Sequence, residues 1–239
     1  MHQRQLDVNF MTSKKLLNIE KMENNDNYRF YNKFPMGEFV KYSKSAGLDT
    51  CVDLELIRSK TEIFNSESIL EIGAGFGRVI QYLLKNEYKG KIAAIERNPI
   101  FYAYLKKEYG HVVTLHKMDV KELTDELTAD VILFLWAGME EFNVEELKKL
   151  LSIFKRILKE DGCIFMDCVP WDSDVSNSNS DEVNGQYSKI IYNDEIYLAF
   201  TPTEEEFVQW AHEVGFSDIE ILPYTTTTAR KRLMYKIKN

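Results

Sequence analysis

A chain of 239 residues, 44% of them hydrophobic, has enough apolar material for one large domain, with or without an added arm. Its net charge of −8 argues against a nucleic-acid binder held mainly through phosphates. Cys51, Cys163 and Cys168 show no metal or redox spacing, and no apolar run is long enough for a bilayer span or a signal. The expectation is therefore a cytoplasmic protein with no metal, membrane or nucleic-acid partner. Nothing in the sequence bears on oligomeric state.

In chain order, Ser13 to Met22 has the spacing of a helix, and Asn24 to Asn27 reads as a break. Tyr28, Phe30, Tyr31 and Phe34 form an aromatic stretch closed by Pro35. Met36 to Ala46, stopped by Gly47, and the segment around Leu54, Leu56 and Ile57 complete an N-terminal helical arm over 1–65. Ser68 to Ile72 is the first buried strand, followed by glycines at 73, 75 and 77 and a helical segment from Val79 to Leu84. Lys91 to Ile95 is a second strand ending at Glu96, and Asn98-Pro99 marks the next helix start. His111 to His116, Asp130 to Leu135 and Cys163 to Cys168 are further strands. Asn143 with Glu146 resembles a capping box opening a helix to Leu158, and Asp161-Gly162 reads as a turn. Alternating strands and helices with short links predict an α/β fold with a parallel sheet and helices on both faces.

Beyond Cys168 the pattern changes. Trp171 to Gln186 is a polar loop, and two β-rich runs flank Asn193-Asp194 as a hairpin, so 172–200 reads as an insertion after strand 5. Thr201-Pro202-Thr203-Glu204 suggests a helix start capped by Thr201, and Gly215 its stop. Ile219 to Tyr224 and Arg232 to Ile237 are the last candidate strands, and Arg230-Lys231-Arg232 reads as a solvated strand end.

The glycine loop, Glu96 and Asp119 all follow predicted strands, on the sheet edge where open α/β folds bind ligands. A dinucleotide fingerprint requires glycine or alanine three residues after Gly75, where this chain has Arg78. There is no Gly-Lys-Ser/Thr phosphate loop, and Glu71 would repel a pyrophosphate. A nucleoside with a cationic tail suits these residues better. Glu71-Ile72-Gly73-Ala74-Gly75-Phe76-Gly77, with Glu96 and Asp119, resembles the class I S-adenosylmethionine (SAM)-dependent methyltransferases. The resemblance spans roughly 66–168 and extends weakly through 239. It implies a seven-stranded, mostly parallel sheet in the order 3-2-1-4-5-7-6, SAM as methyl donor, and 66–239 as the SAM-binding domain.

Carried over by position, Gly73, Ala74, Gly75 and Gly77 would line the methionine and ribose, and Glu71 would steer the methionine end. Glu96 would bind the ribose diol, Arg97 would pack beside adenine, and Asp119 and the Val120 N–H would read the adenine ring. Leu135 and Trp136 would lie near the sulfonium. Glu71 and Asp119 have a plainer alternative as local backbone caps, and Trp136 as a packing residue. No Asn/Asp-Pro-Pro-Tyr/Phe or Pro-Cys follows strand 4, which argues against amino methylation of adenine or glutamine and against cytosine C5 methylation.

A substrate wall is expected from Tyr28, Tyr31, Phe34, Trp136, Trp171 and the hairpin tyrosines, Tyr192 among them. The alternative is that these aromatics only pack the hairpin. Glu140, Glu141 and Tyr31 are the candidate catalytic groups. The leading expectation is an enzyme methylating a small molecule. A protein methyltransferase and a non-catalytic SAM-binding regulator are the alternatives.

Overall fold

The computed structural model describes residues 25–136, 138–178 and 180–239; the helix expected over Ser13 to Met22 lies outside them. The helices are α1 (Asn25–Lys33), α2 (Met36–Ser45), α3 (Val52–Lys60), α4 (Arg78–Lys85), α5 (Pro99–Tyr109), α6 (Val144–Ile157), the four-residue α7 (Val175–Ser178) and α8 (Glu204–Val214). The strands are β1 (Ser68–Ile72), β2 (Lys91–Ile95), β3 (Thr114–His116), β4 (Ala129–Phe134), β5 (Leu158–Cys168), β6 (Glu182–Asn184), β7 (Tyr187–Tyr192), β8 (Glu195–Phe200), β9 (Asp218–Thr225) and β10 (Lys231–Lys238). Seven of them form one sheet in the order β3-β2-β1-β4-β5-β10-β9, with β10 antiparallel to both neighbours and the first five parallel. This is the expected α/β sheet and strand order.

Side-chain alternation along the central strands divides the core between the two faces. Leu70, Ile132, Phe134 and Ile164 pack with Leu147, Leu150 and Phe154 of α6 and Phe207 and Trp210 of α8. Their chain neighbours Ile69, Val131, Leu133 and Phe165 pack with Leu54 and Ile57 of α3, Val79 and Leu83 of α4 and Leu105 of α5. Helix α3 is thus part of the main core.

The second sheet, β6-β7-β8, is antiparallel and contains the expected hairpin. Asn193 and Asp194 both take positive φ, 48° and 64°, as a tight hairpin turn requires. The polar loop expected from Trp171 to Gln186 is more ordered than its composition suggests. Asp174 caps α7 through the Asn177 N–H at 2.9 Å, and β6 pairs with β7.

Other expectations shift for local reasons. Asn25 to Asn27 do not break the chain but open α1. The Asn27 side chain donates to the Leu198 carbonyl at 2.8 Å and accepts its N–H at 2.9 Å, so tertiary anchoring overrides weak helix propensity. Helix α8 is capped by Thr203 with Glu206, two residues later than expected, because the Thr201 N–H still bonds the Gln186 carbonyl at 2.8 Å and extends the small sheet. Asp161-Gly162 is no turn between elements: β5 begins at Leu158, and its register against β4 jumps between Leu158 and Cys163. β3 starts at Thr114, since the Val112 and Val113 N–H groups still bond Tyr109 at the end of α5. Asn98 caps α5, and Asn143 with Glu146 forms the expected box on α6.

Candidate active site

The chain leaves β1 through a tight turn. The N–H groups of Gly73 and Ala74 both donate to the Ile95 carbonyl, at 2.9 and 3.0 Å, which binds the glycine loop to the end of β2. Gly73 has φ +70°, and a Cβ added there would meet nothing within 4 Å, so the backbone borders open space. That space is a cavity of about 120 Å³ at the carboxyl edge of the sheet. Glu71, Gly73, Ala74, Gly75, Glu96, Arg97, Asp119, Val120, Leu135 and Trp136 line it, together with Tyr28, Tyr31 and Phe39 from the arm. The structure thus brings together all of the expected cofactor residues except Gly77. At Gly77 an added Cβ would approach Tyr109 at 2.7 Å and Leu105 at 2.9 Å, so this glycine serves the packing of α5 against the loop.

Two buried acids dominate the wall. Glu71 is 5% exposed and its Oε2 has no hydrogen-bond partner. Burial, opposed by Arg78 and helped by Glu96 and Asp53, pushes its pKa up to about 8. Glu96 accepts the Gly75 N–H at 2.8 Å and the Asn98 N–H at 2.7 Å, which fixes its carboxylate on the cavity rim. Its burial outweighs these bonds and lifts the pKa to about 7. An orphaned, desolvated carboxylate beside a glycine backbone suits a cationic ligand and disfavours phosphate.

Asp119 is already engaged. Its carboxylate accepts Arg97 at 3.1 Å and the Lys121 N–H at 3.0 Å, and Glu122 completes a capping box. The local-cap alternative for Asp119 is therefore present in the structure alongside its place in the wall. Arg97 also bonds Glu141 at 2.5 Å and stands 5.6 Å from the Tyr28 ring, so Tyr28 belongs to this cavity.

Trp136 divides this cavity from a second. Its φ is +58°, its N–H donates to the Asp167 carboxylate, and its ring lies 5.0 Å from Phe39 and 5.9 Å from Tyr42. On the far side is a cavity of about 450 Å³ walled by Phe30, Phe34, Tyr42, Tyr192, Tyr197, Glu140, Arg230 and Arg232. Tyr31, Phe39 and Trp136 border both spaces. The hairpin aromatics do pack with one another, Phe34 lying 4.5 Å from Tyr192, yet they also enclose this space. Trp171 lines neither cavity and is 39% exposed, because the chain turns to solvent after β5. Glu140 accepts the Val169 N–H at 2.7 Å, and burial raises its pKa to about 7. Glu141 is held by Arg97 and by a hydrogen bond from Tyr31. Burial lifts the Tyr31 hydroxyl well above its usual range, so it stays protonated at neutral pH.

Several residues that build this site carry little functional signal in the sequence. Arg78, noticed only as a misfit to a fingerprint, makes a buried two-pronged ion pair with Asp53, at 2.7 and 2.6 Å, that ties α3 to the glycine loop. Asn98, recognised only as a cap, also donates to Tyr31 and Asn32 of the arm at 3.0 and 3.2 Å. Phe39 carried no signal beyond helical spacing. Among the described residues no group of three or more His, Cys, Asp or Glu is placed to hold a metal, and no helix is long and apolar enough to cross a membrane.

Comparison with known proteins agrees with this fold. Residues 69–162 match the family described as a methyltransferase domain. Over 104 residues the chain is 31% identical to ribosomal RNA small subunit methyltransferase A of Pelagibacter ubique (strain HTCC1062), a match spanning 42% of this chain and 39% of that protein. An S-adenosylmethionine-dependent methyltransferase from Clostridium acetobutylicum ATCC 824 superposes with a TM-score of 0.61 at 14% identity, covering 77% of this chain and 89% of the other. The glycopeptide N-methyltransferase MtfA complexed with S-adenosyl-L-homocysteine gives 0.62 at 14% identity, covering 78% and 88%.

Proposed function

We propose, for a chain that carries a methyltransferase domain on the class I SAM-dependent fold, that the smaller cavity binds SAM and that a small-molecule acceptor is methylated from the larger one. The observation that carries this reading is the unpartnered Glu71 carboxylate beside the open face of Gly73. A positively charged nucleoside answers both features, whereas a dinucleotide answers only the open glycine backbone and would bring its pyrophosphate against Glu71. When bound, SAM supplies a methyl group on sulfonium; the electron pair of the broken carbon–sulfur bond stays on sulfur.

The chain's own residues do the rest. Gly73 to Gly75 give the backbone close approach, Glu71 balances the cationic end, and Glu96 presents a fixed carboxylate to the ribose hydroxyls. Val120, Leu135 and Trp136 wall the base and the sulfonium end, while Arg97 holds Asp119 in place. The Trp136 partition positions acceptor against donor, which is the main contribution an enzyme makes to such a displacement. Of the three candidate proton acceptors, Glu140 faces the larger cavity and titrates near neutral pH, whereas Glu141 is tied to Arg97 and Tyr31 stays neutral.

Calorimetric titration with SAM tests the first step. Glu96→Ala should weaken binding by at least tenfold, and unchanged affinity would remove the ribose role. A labelled-methyl assay over an extract split into small-molecule, protein and RNA fractions then tests the acceptor. Label confined to the protein or RNA fraction would overturn the small-molecule reading.

A further inference from the structure

Among the charged groups that line the larger cavity, Glu140 stands apart. It is 6% exposed, and its Oε1 accepts the Val169 N–H at 2.7 Å. Its Oε2 has no hydrogen-bond partner among the described residues and stays accessible, on a side chain that lines the cavity. The other buried charge in the wall, Arg232, is paired with Asp167 at 2.6 Å. Lys41 and Glu38 pair with each other at 2.7 Å on exposed side chains, Asp181 is exposed, and Arg230 donates to the Ser176 and Asn177 carbonyls. Glu140 is thus a desolvated carboxylate without an ion partner among the described residues, a group that a bound cation would satisfy. It also stands where the cavities meet. Trp136 borders both, Glu141 lines the smaller and Glu140 the larger.

From these features we infer that the larger cavity takes an arylalkylamine as methyl acceptor, its flat body held by the rings and its ammonium held by Glu140, which receives a proton before the nitrogen is methylated. This inference rests on the proposed methyl-acceptor role of the cavity. The space is about 450 Å³, and its walls carry rings in more than one orientation, Phe34 standing at 89° to Phe39 and 87° to Tyr42. Such rings hold a flat body by stacked and edge contacts and attract a cation to their faces. Once one ammonium proton has moved to Glu140, the nitrogen lone pair bonds the methyl carbon. The carbon–sulfur bond breaks with its electron pair staying on sulfur, and the product is a methylammonium. Burial, which raises the Glu140 pKa to about 7, suits it to take a proton at neutral pH. The charged and titratable groups around it are Arg232 of β10, Asp167 and Cys168 of β5 and Tyr197 of β8; Arg232 lowers its pKa and Asp167 raises it.

The test is calorimetry on the full chain saturated with S-adenosylhomocysteine, titrated with 2-(2-naphthyl)ethylamine and with its uncharged analogue 2-(2-naphthyl)ethanol. At pH 8 the amine should bind at least tenfold tighter than the alcohol. An alkylamine keeps its charge from pH 6 to 8, whereas Glu140 loses its charge below about pH 7. The preference should therefore fall by fivefold or more at pH 6. Glu140→Gln keeps an acceptor for the Val169 N–H but removes the charge, and should hold the preference at threefold or less at both pH values. Ile190→Trp, which fills the cavity from β7 and leaves Glu140 untouched, should abolish amine binding and retain S-adenosylhomocysteine. If Glu140→Gln fails to fold, the wild-type pH dependence and Ile190→Trp decide the matter. Equal binding of amine and alcohol, absence of binding by both, a preference unchanged at pH 6 or in Glu140→Gln, or unimpaired amine binding to Ile190→Trp would overturn the inference. With labelled SAM, methyl should appear on the amine. Label on the alcohol instead would also overturn the inference, and label on neither, despite amine binding as expected, would strike the acceptor role of the cavity. Failure of S-adenosylhomocysteine itself to bind would strike the cofactor reading.

Discussion

The two cavities that meet at Trp136 are built in different ways. The smaller is framed by short segments at or just past the carboxyl ends of parallel strands: 71–76 at β1, 96–98 at β2, 118–120 at β3 and 134–136 at β4. The larger is assembled from α1, α2, the hairpin and the start of β10, more than two hundred residues apart at the extremes. One is held by backbone geometry common to the sheet edge, and the other by contacts between side chains. The donor side is therefore expected to be rigid and general, and the acceptor side to be specific to this chain.

That contrast can be broken by experiment. The largest effect is expected from Asp53→Ala, which strands the buried Arg78 guanidinium under the glycine loop. Breaking such a pair costs about 3–5 kcal/mol, and a chemical-denaturation midpoint should fall accordingly, with SAM binding lost alongside. Retention of full stability would show that the donor side does not depend on the arm.

Next is Glu71→Gln. The folded-state pKa of Glu71 lies above its unfolded value, so the native ligand-free protein holds more protons and its stability falls as pH rises from about 4.5 to about 8. Glu96 and Glu140 contribute in the same direction up to about 7. Thermal melts of the ligand-free variant should show a shallower pH slope. SAM affinity should behave oppositely, rising through about pH 8 in the wild type as Glu71 ionises, and the Gln variant should lose that rise. A parallel slope in both proteins would place the titration elsewhere.

The smallest effect is expected from Trp171→Ala. This side chain is outside both cavities, so stability should change by less than about 0.5 kcal/mol, with ligand binding unaffected. A measurable loss of acceptor binding would extend the larger cavity to the loop after β5.

The same contrast explains how far the sequence could be read. Ile69 to Gly75 shows its strand, its turn and its ligand preference within seven residues, because period-2 burial and glycine spacing are local signals. Glu96 and Trp136 could be placed because each sits just after a buried run, and Asp119 because it follows a short β-rich segment. Arg232 looked like a solvated charge at a strand end, since nothing near it in sequence reveals that Asp167 and Tyr224 lie opposite across β5 and β9. Asn27 looked like a helix breaker for the same reason: its partner, Leu198, is far along the chain. Trp171 misled in the other direction, because aromatic character alone does not say which way the chain turns after a strand.

Asp167 has a consequence for how this protein can change over evolutionary time. Its one carboxylate holds the Trp136 backbone, the Tyr224 hydroxyl and the Arg232 guanidinium. A substitution there is expected to disturb the Trp136 partition and the Arg232 side chain together. Ser188, Ile190 and Tyr192 face the same cavity from a surface hairpin with no bond to that carboxylate. Substitutions in the hairpin are therefore expected to reshape the larger cavity while leaving the smaller one in place.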